Sequence, residues 1–179
     1  MTVVAVVARG GAPTQQAEGG ATGSSAGAIP DLAQMSPREA ADRLFDHVAR
    51  AESNDDTAQV AQFAPMALQA YAMLGTNLDA DARLHIGLIH LAVRDAAATR
   101  AQADTILRGS RTHLFGLYLR VRAAEVTADT AGLRRALQAF GAAYDAERAK
   151  NLPEYGMHGQ LLTDTKSQAD RGAGGAPAR

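Results

Sequence analysis

Apolar residues in this chain recur at three- and four-residue intervals from residue 41 to residue 162, and no stretch alternates in steps of two. That spacing builds one apolar stripe on each of a series of helices and provides no segment able to present a sheet face. Ala41, Leu44, Phe45 and Val48 make the first stripe, and Val60, Phe63, Ala64, Ala67, Leu68, Tyr71 and Leu74 the second. Leu133, Leu137, Phe140 and Tyr144 make the sixth, and Tyr155, His158, Leu161 and Leu162 line the last. The fold class is all-α, with seven helices of about 13–20 residues joined by short connectors.

Punctuation residues set the boundaries. Ser36-Pro37-Arg38-Glu39 is a start signal: Ser36 caps, Pro37 suits the first helical position and Glu39 closes a capping box. Ser53-Asn54-Asp55-Asp56 ends helix 1 and caps helix 2. Pro65 lies within the phase of helix 2 and predicts a kink over 61–64 in a continuous helix. Gly75 is a left-handed stop. Helices 3 to 6 are placed at 79–93, 96–108, 112–126 and 130–147, and the last at 153–169, after Asn151-Leu152-Pro153. The grouping is three hairpins and one closing helix over 36–170. Residues 1–35 read as an apolar N-terminal remnant and a disordered linker, and 171–179 as a disordered tail, because neither flank carries the apolar residues needed to offset ordering.

Composition narrows the function classes. With no cysteine there is no disulfide framework, no thiolate metal site and no thiol nucleophile. A net charge of −1 argues against nucleic acid as a partner. The charge is unevenly spread: residues 36–93 carry four arginines against eight acids, and residues 94–135 eight arginines against four acids. Arginine and alanine dominate while lysine occurs only at 150 and 166, which fits a high-GC bacterial source. The apolar run over 1–8 is too short to span a bilayer, and followed by a linker it resembles the end of a missing or truncated membrane anchor. A periplasmic or membrane-tethered location is therefore favoured over a cytoplasmic one.

Two segments, Leu84-His85-Ile86-Gly87-Leu88-Ile89 and His113-Leu114-Phe115-Gly116-Leu117-Tyr118, align with their glycines 29 residues apart. Each resembles the large-apolar-then-glycine step in the first helix of a tetratricopeptide repeat. The family period is about 34 residues, Arg83 and Thr112 stand where an aromatic is usual, and no proline closes either repeat. The resemblance implies a tetratricopeptide-like right-handed stack of about three hairpins with a C-terminal capping helix, and a groove for a partner protein. Carried over position by position, the groove is lined by Leu84, Leu88, Leu91, His113, Leu117 and Arg120. Either the chain's own first or final helix fills that groove, or a partner's helix or extended segment does, with Arg120 holding a carboxylate.

Catalytic chemistry is not signalled. Of the histidines, His47, His85, His90, His113 and His158, no two are three or four apart, and no H-E-x-x-H occurs, so a helical metal site is not encoded locally. Asp55, Asp56, Asp79 and Asp81 open helices, where capping explains them. The glycine-rich stretches lie in the flanks, away from any strand-to-helix turn. The expectation is a non-enzymatic scaffold or adaptor without metal or cofactor. The alternative is a structural subunit packing on a larger membrane-associated complex.

Overall fold

The computed structural model describes residues 35–174, and among them every regular element is a helix. Eight helices follow one another: α1 Pro37–Ser53, α2 Thr57–Met73, α3 Ala80–Ala92, α4 Ala96–Gly109, α5 Leu114–Val126, α6 Thr130–Arg148, α7 Pro153–Met157 and α8 Gly159–Gly174. No helix among the described residues is long and apolar enough to cross a membrane. The apolar run over 1–8 and the linker lie outside the described residues.

The capping box at α1 forms in full. The Ser36 hydroxyl accepts from the Glu39 N–H, and the Ser36 N–H donates to Glu39 Oε2 at 2.9 Å. The turns inside the three hairpins share one construction. Asp55, Arg94 and Ala128 adopt left-handed φ values of 55°, 62° and 52°. The next residue, Asp56, Asp95 or Asp129, sends its N–H back to Ala51, His90 or Ala124 O and caps the following helix with its carboxylate. One reversed residue thus closes the old helix while its neighbour opens the new one. The three caps fall 39 and 34 residues apart.

Neighbouring helices pack in order. α1 lies along α2 and against α3, α3 against α4 and α5, α4 against α5, α5 against α6, and α6 against α8. The first helices of successive hairpins, α1, α3 and α5, therefore stand side by side. The main core gathers among α3, α4, α5, α6 and the C-terminal segment, from Leu84, Leu107, Leu114, Phe115, Leu119, Phe140, Tyr155 and Leu162. Gly87 and Gly116 are buried at helix contacts. A Cβ at Gly87 would meet the Leu119 methyls at 2.7 Å; at Gly116 it would meet Leu107 Cγ at 2.6 Å and the Ala103 carbonyl oxygen at 3.1 Å. The absent side chains let α3 approach α5, and α5 approach α4.

Two boundaries differ from the sequence expectation. The last helix divides at His158, whose backbone departs from helical geometry, so seven expected helices become eight. Gly156 and Gly159 flank the break, and both cost helix propensity. At the other end α8 continues to Gly174, past the expected tail boundary at 170. Ala169, the last buried residue described in α8, packs on α6 with its Cβ 3.4 Å from where a side chain on Gly141 would begin, and exposed residues after it continue the helix by one turn. Pro65 sits on the exposed side of α2, which runs through it without interruption.

Candidate functional site

The six positions assigned to a groove separate into two environments. Leu84 and Leu117, 0% and 4% exposed, belong to the main core, and Leu88 and Leu91 pack half-buried against it. His113 caps α5, its Nδ1 accepting the Phe115 N–H at 3.3 Å. Its Nε2 lies 3.5 Å from Glu154, and its ring 5.1 Å from that of Tyr155. Arg120 lies apart, exposed and paired with Asp104 at 2.9 Å. Five of the positions are thus gathered into or beside a core that also holds Tyr155 and Leu162 of the C-terminal segment.

That segment is held by a buried carboxylate. Glu147 accepts the Tyr155 hydroxyl at 2.9 Å, the Lys150 ammonium at 2.7 Å and the Thr112 hydroxyl. Tyr155 Oη in turn accepts the Leu114 N–H at 3.0 Å. Burial by itself would raise the Glu147 carboxyl, but its three donors outweigh that and hold it below the usual range. A lowered folded value gives stability that is complete above the unfolded value, about 4.3, and is lost as pH falls through the folded value. Glu147→Gln is therefore expected to cost about 1.5–3 kcal/mol at neutral pH and to flatten the fall of stability on the acid side. Urea unfolding at a series of pH values measures this; parallel curves for variant and parent would place the carboxyl outside the network.

A second polar cluster joins four elements. Arg38 of α1 reaches Asp42 at 2.9 Å, Asp79 at 3.1 Å and Asp81 at 2.7 Å. Tyr71 of α2 donates to Asp42 Oδ1 at 2.6 Å, and its oxygen lies 2.8 Å from His85 Nδ1. His158, at the α7–α8 break, places Nε2 2.8 Å from Asp81 Oδ1. His85 is clamped between rings: Phe45 stacks on it at 4.0 Å and His158 meets it edge-on at 5.4 Å. Burial lowers the His85 imidazole against the pull of Asp81 and Asp42, favouring the neutral ring. Burial alone would raise Asp81, yet the His158 hydrogen bond and the nearby Arg38 guanidinium hold it below the ordinary carboxylate range. Asp81, His85 and His158 bring three potential metal-ligand atoms within 4.8 Å of one another.

The third feature is a basic face across α4, α5 and α6. A cavity of 360 Å³ is lined by Arg100, Asp104, Leu117, Arg120 and Arg135, among others. A second, of 530 Å³, shares Asp104 and Arg120 and adds Leu107, Arg108 and Arg111. Leu117 thus reaches the floor of the first cavity, beside Arg120. Comparison with family models, curated proteins and solved structures finds no match. The chemistry of these surfaces has to carry the functional argument.

Sequence reading missed the Asp81–His85 pairing. The two stand four apart on α3, one turn of one face, but capping already accounts for an aspartate at the start of a helix. The third member, His158, comes from 77 residues away from Asp81 and had no local signal beyond the two glycines around it.

Proposed function

We propose that the chain is a protein-interaction adaptor of tetratricopeptide-like, right-handed design, which takes an acidic segment of a partner protein on the face built by α4, α5 and α6. The side-by-side placement of α1, α3 and α5, with glycines at the close contacts, supports the repeat reading. One observation carries the partner reading. Five exposed arginines, Arg100, Arg108, Arg111, Arg120 and Arg135, rim the two adjoining cavities. Of these, only Arg120 has a carboxylate partner among the described residues. Guanidinium groups with unspent donors around an indented surface are suited to carboxylates, which they engage bidentately. Leu117 and Leu107 add apolar floor for the stems of the incoming side chains.

An enzyme would need converging polar groups beside room for a substrate. The residues that converge around Asp81 contact one another and line neither of the basic cavities. No residue of α7 or α8 lines either basic cavity.

The test is binding of immobilised acidic peptides against copies with glutamine in place of each glutamate. The parent chain is expected to bind the acidic set, more weakly as salt rises. Arg120→Glu with Arg135→Glu is expected to weaken binding at least about tenfold, roughly 1.4 kcal/mol. Equal binding of the glutamine copies, or undiminished binding by the double variant, would reject this face.

A further inference from the structure

We infer that Asp81, His85 and His158 form a binding site for a divalent transition-metal ion, zinc by its chemistry, which ties α3 to the α7–α8 junction. One ligand atom from each side chain lies within 4.8 Å of the other two. Asp81 Oδ1 is 2.8 Å from His158 Nε2 and 3.8 Å from His85 Nε2. Ligands on a tetrahedral zinc ion at about 2.0–2.2 Å stand about 3.3–3.5 Å apart. The two Asp81 pairs thus lie roughly half an ångström from that spacing, one to open and the other to close, and the two histidines close from a separation of at most 4.8 Å.

Proton accounting at His85 aims a lone pair into the site. Asp42 Oδ1 lies 3.2 Å from His85 Nδ1 and 2.6 Å from the Tyr71 hydroxyl. An ionised carboxylate can only accept, and the single Tyr71 proton is committed to it. Nδ1 must then carry the ring proton, shared between Asp42 and the Tyr71 oxygen. In the neutral ring this turns the Nε2 lone pair toward Asp81, 3.8 Å away, and Nε2 has no hydrogen-bond partner among the described residues. A cation between them accepts that lone pair. A carboxylate on the far nitrogen is also what orients a metal-bound imidazole and raises its basicity, and the Phe45 stack fixes the ring plane.

Charge and access agree with a cation. Asp42, Asp79 and Asp81 surround the site against the single guanidinium of Arg38, leaving two negative charges in excess. Binding replaces the proton now held between His158 Nε2 and Asp81, so that proton moves to His158 Nδ1 or is released. The Asp81 and His158 side chains remain 13% and 19% exposed, enough to admit an ion and leave water as its fourth ligand. Two imidazoles and one carboxylate select zinc and its neighbours over magnesium or calcium, which prefer all-oxygen shells.

The experiment uses the full chain, stripped of metal by chelation and titrated with zinc, then with cobalt as a visible probe. One equivalent is expected to bind, to raise the melting temperature, and to give cobalt the intense visible bands of a low-coordinate nitrogen–oxygen site. His158→Gln keeps a hydrogen-bond donor for Asp81 but removes the ligand, so the fold is preserved. It is expected to lower zinc affinity by more than about 100-fold, and Asp42→Asn by roughly 10–100-fold as a positioning change. Retained affinity in His158→Gln would mean an adventitious ion only. No binding by the parent would make the cluster a hydrogen-bonded clasp. Either result overturns the site, and neither bears on the basic face.

Discussion

Leucine at position 116 is expected to cost the fold about 3 kcal/mol or more. A Cβ there stands 2.6 Å from Leu107 Cγ and 3.1 Å from the Ala103 carbonyl oxygen. The first obstacle is a side chain that can rotate, but the second is the backbone of α4, and moving it means moving the helix. Overpacking typically costs about 1–3 kcal/mol, and a backbone obstacle places Gly116→Leu at or beyond the upper end. Even Gly116→Ala is expected to destabilise, although alanine gains about 1 kcal/mol of helix propensity. At Gly87 the nearest atoms all belong to Leu119, a side chain with other rotamers. Gly87→Ala is therefore milder than Gly116→Ala, and Gly87→Leu milder than Gly116→Leu. Thermal and urea unfolding followed by circular dichroism rank the four variants. Parent-like midpoints for both leucine variants would mean that α3, α4 and α5 do not approach as described.

Leu117→Ser carries the second large effect, and it bears on where a partner sits. Leu117 is 4% exposed and belongs to the same core as Leu84, Tyr155 and Leu162. Truncating such a leucine costs about 2–5 kcal/mol, and a serine hydroxyl left without a partner adds about 1–3 kcal/mol. Leu88, only half-buried, is expected to lose on the order of 1 kcal/mol when changed to serine, in proportion to the area it hides. An open groove would give a different pattern, since leucines exposed in the free protein lose little on becoming polar. Two small and equal losses would therefore contradict the closed core.

Much of the fold was legible because its signals are local. Ser36 to Glu39 specify a cap within one turn of chain, and the helix stripes repeat within a window of a few residues. The hairpin turns were equally legible but were read singly. Asp56-Thr57-Ala58, Asp95-Ala96-Ala97 and Asp129-Thr130-Ala131 are one motif, each preceded by a left-handed residue. They mark all three hairpin turns, whereas the two glycines mark only two helix contacts. Gly87 and Gly116 do not even face equivalent neighbours, one meeting the following hairpin and the other the preceding one.

What could not be read depends on distant pairing. Arg38, Tyr71, Asp81 and His158 meet only because α1, α2, α3 and the α7–α8 break converge, and no spacing in the chain encodes that meeting. The groove expectation shows the same limit. His113, Leu117 and Arg120 share one face of α5 by their spacing. Yet His113 meets Tyr155 and Glu154, Leu117 joins the core and Arg120 turns to Asp104 of α4. A helix face is a sector, and neighbours on either side of it divide the residues that periodicity groups together.

Amide chemical shifts of the nitrogen-15-labelled chain, followed as an acidic peptide is added, test the placement of the partner most directly. Perturbations are expected at Arg100, Asp104, Leu117, Arg120 and Arg135, with the resonances of Tyr155, His158 and Leu162 unmoved. Shifts centred on Leu84, Leu88 and Leu91, accompanied by loss of the α7–α8 resonances from their packed positions, would contradict that placement. The partner would then be displacing the chain's own C-terminal segment from the helices it covers.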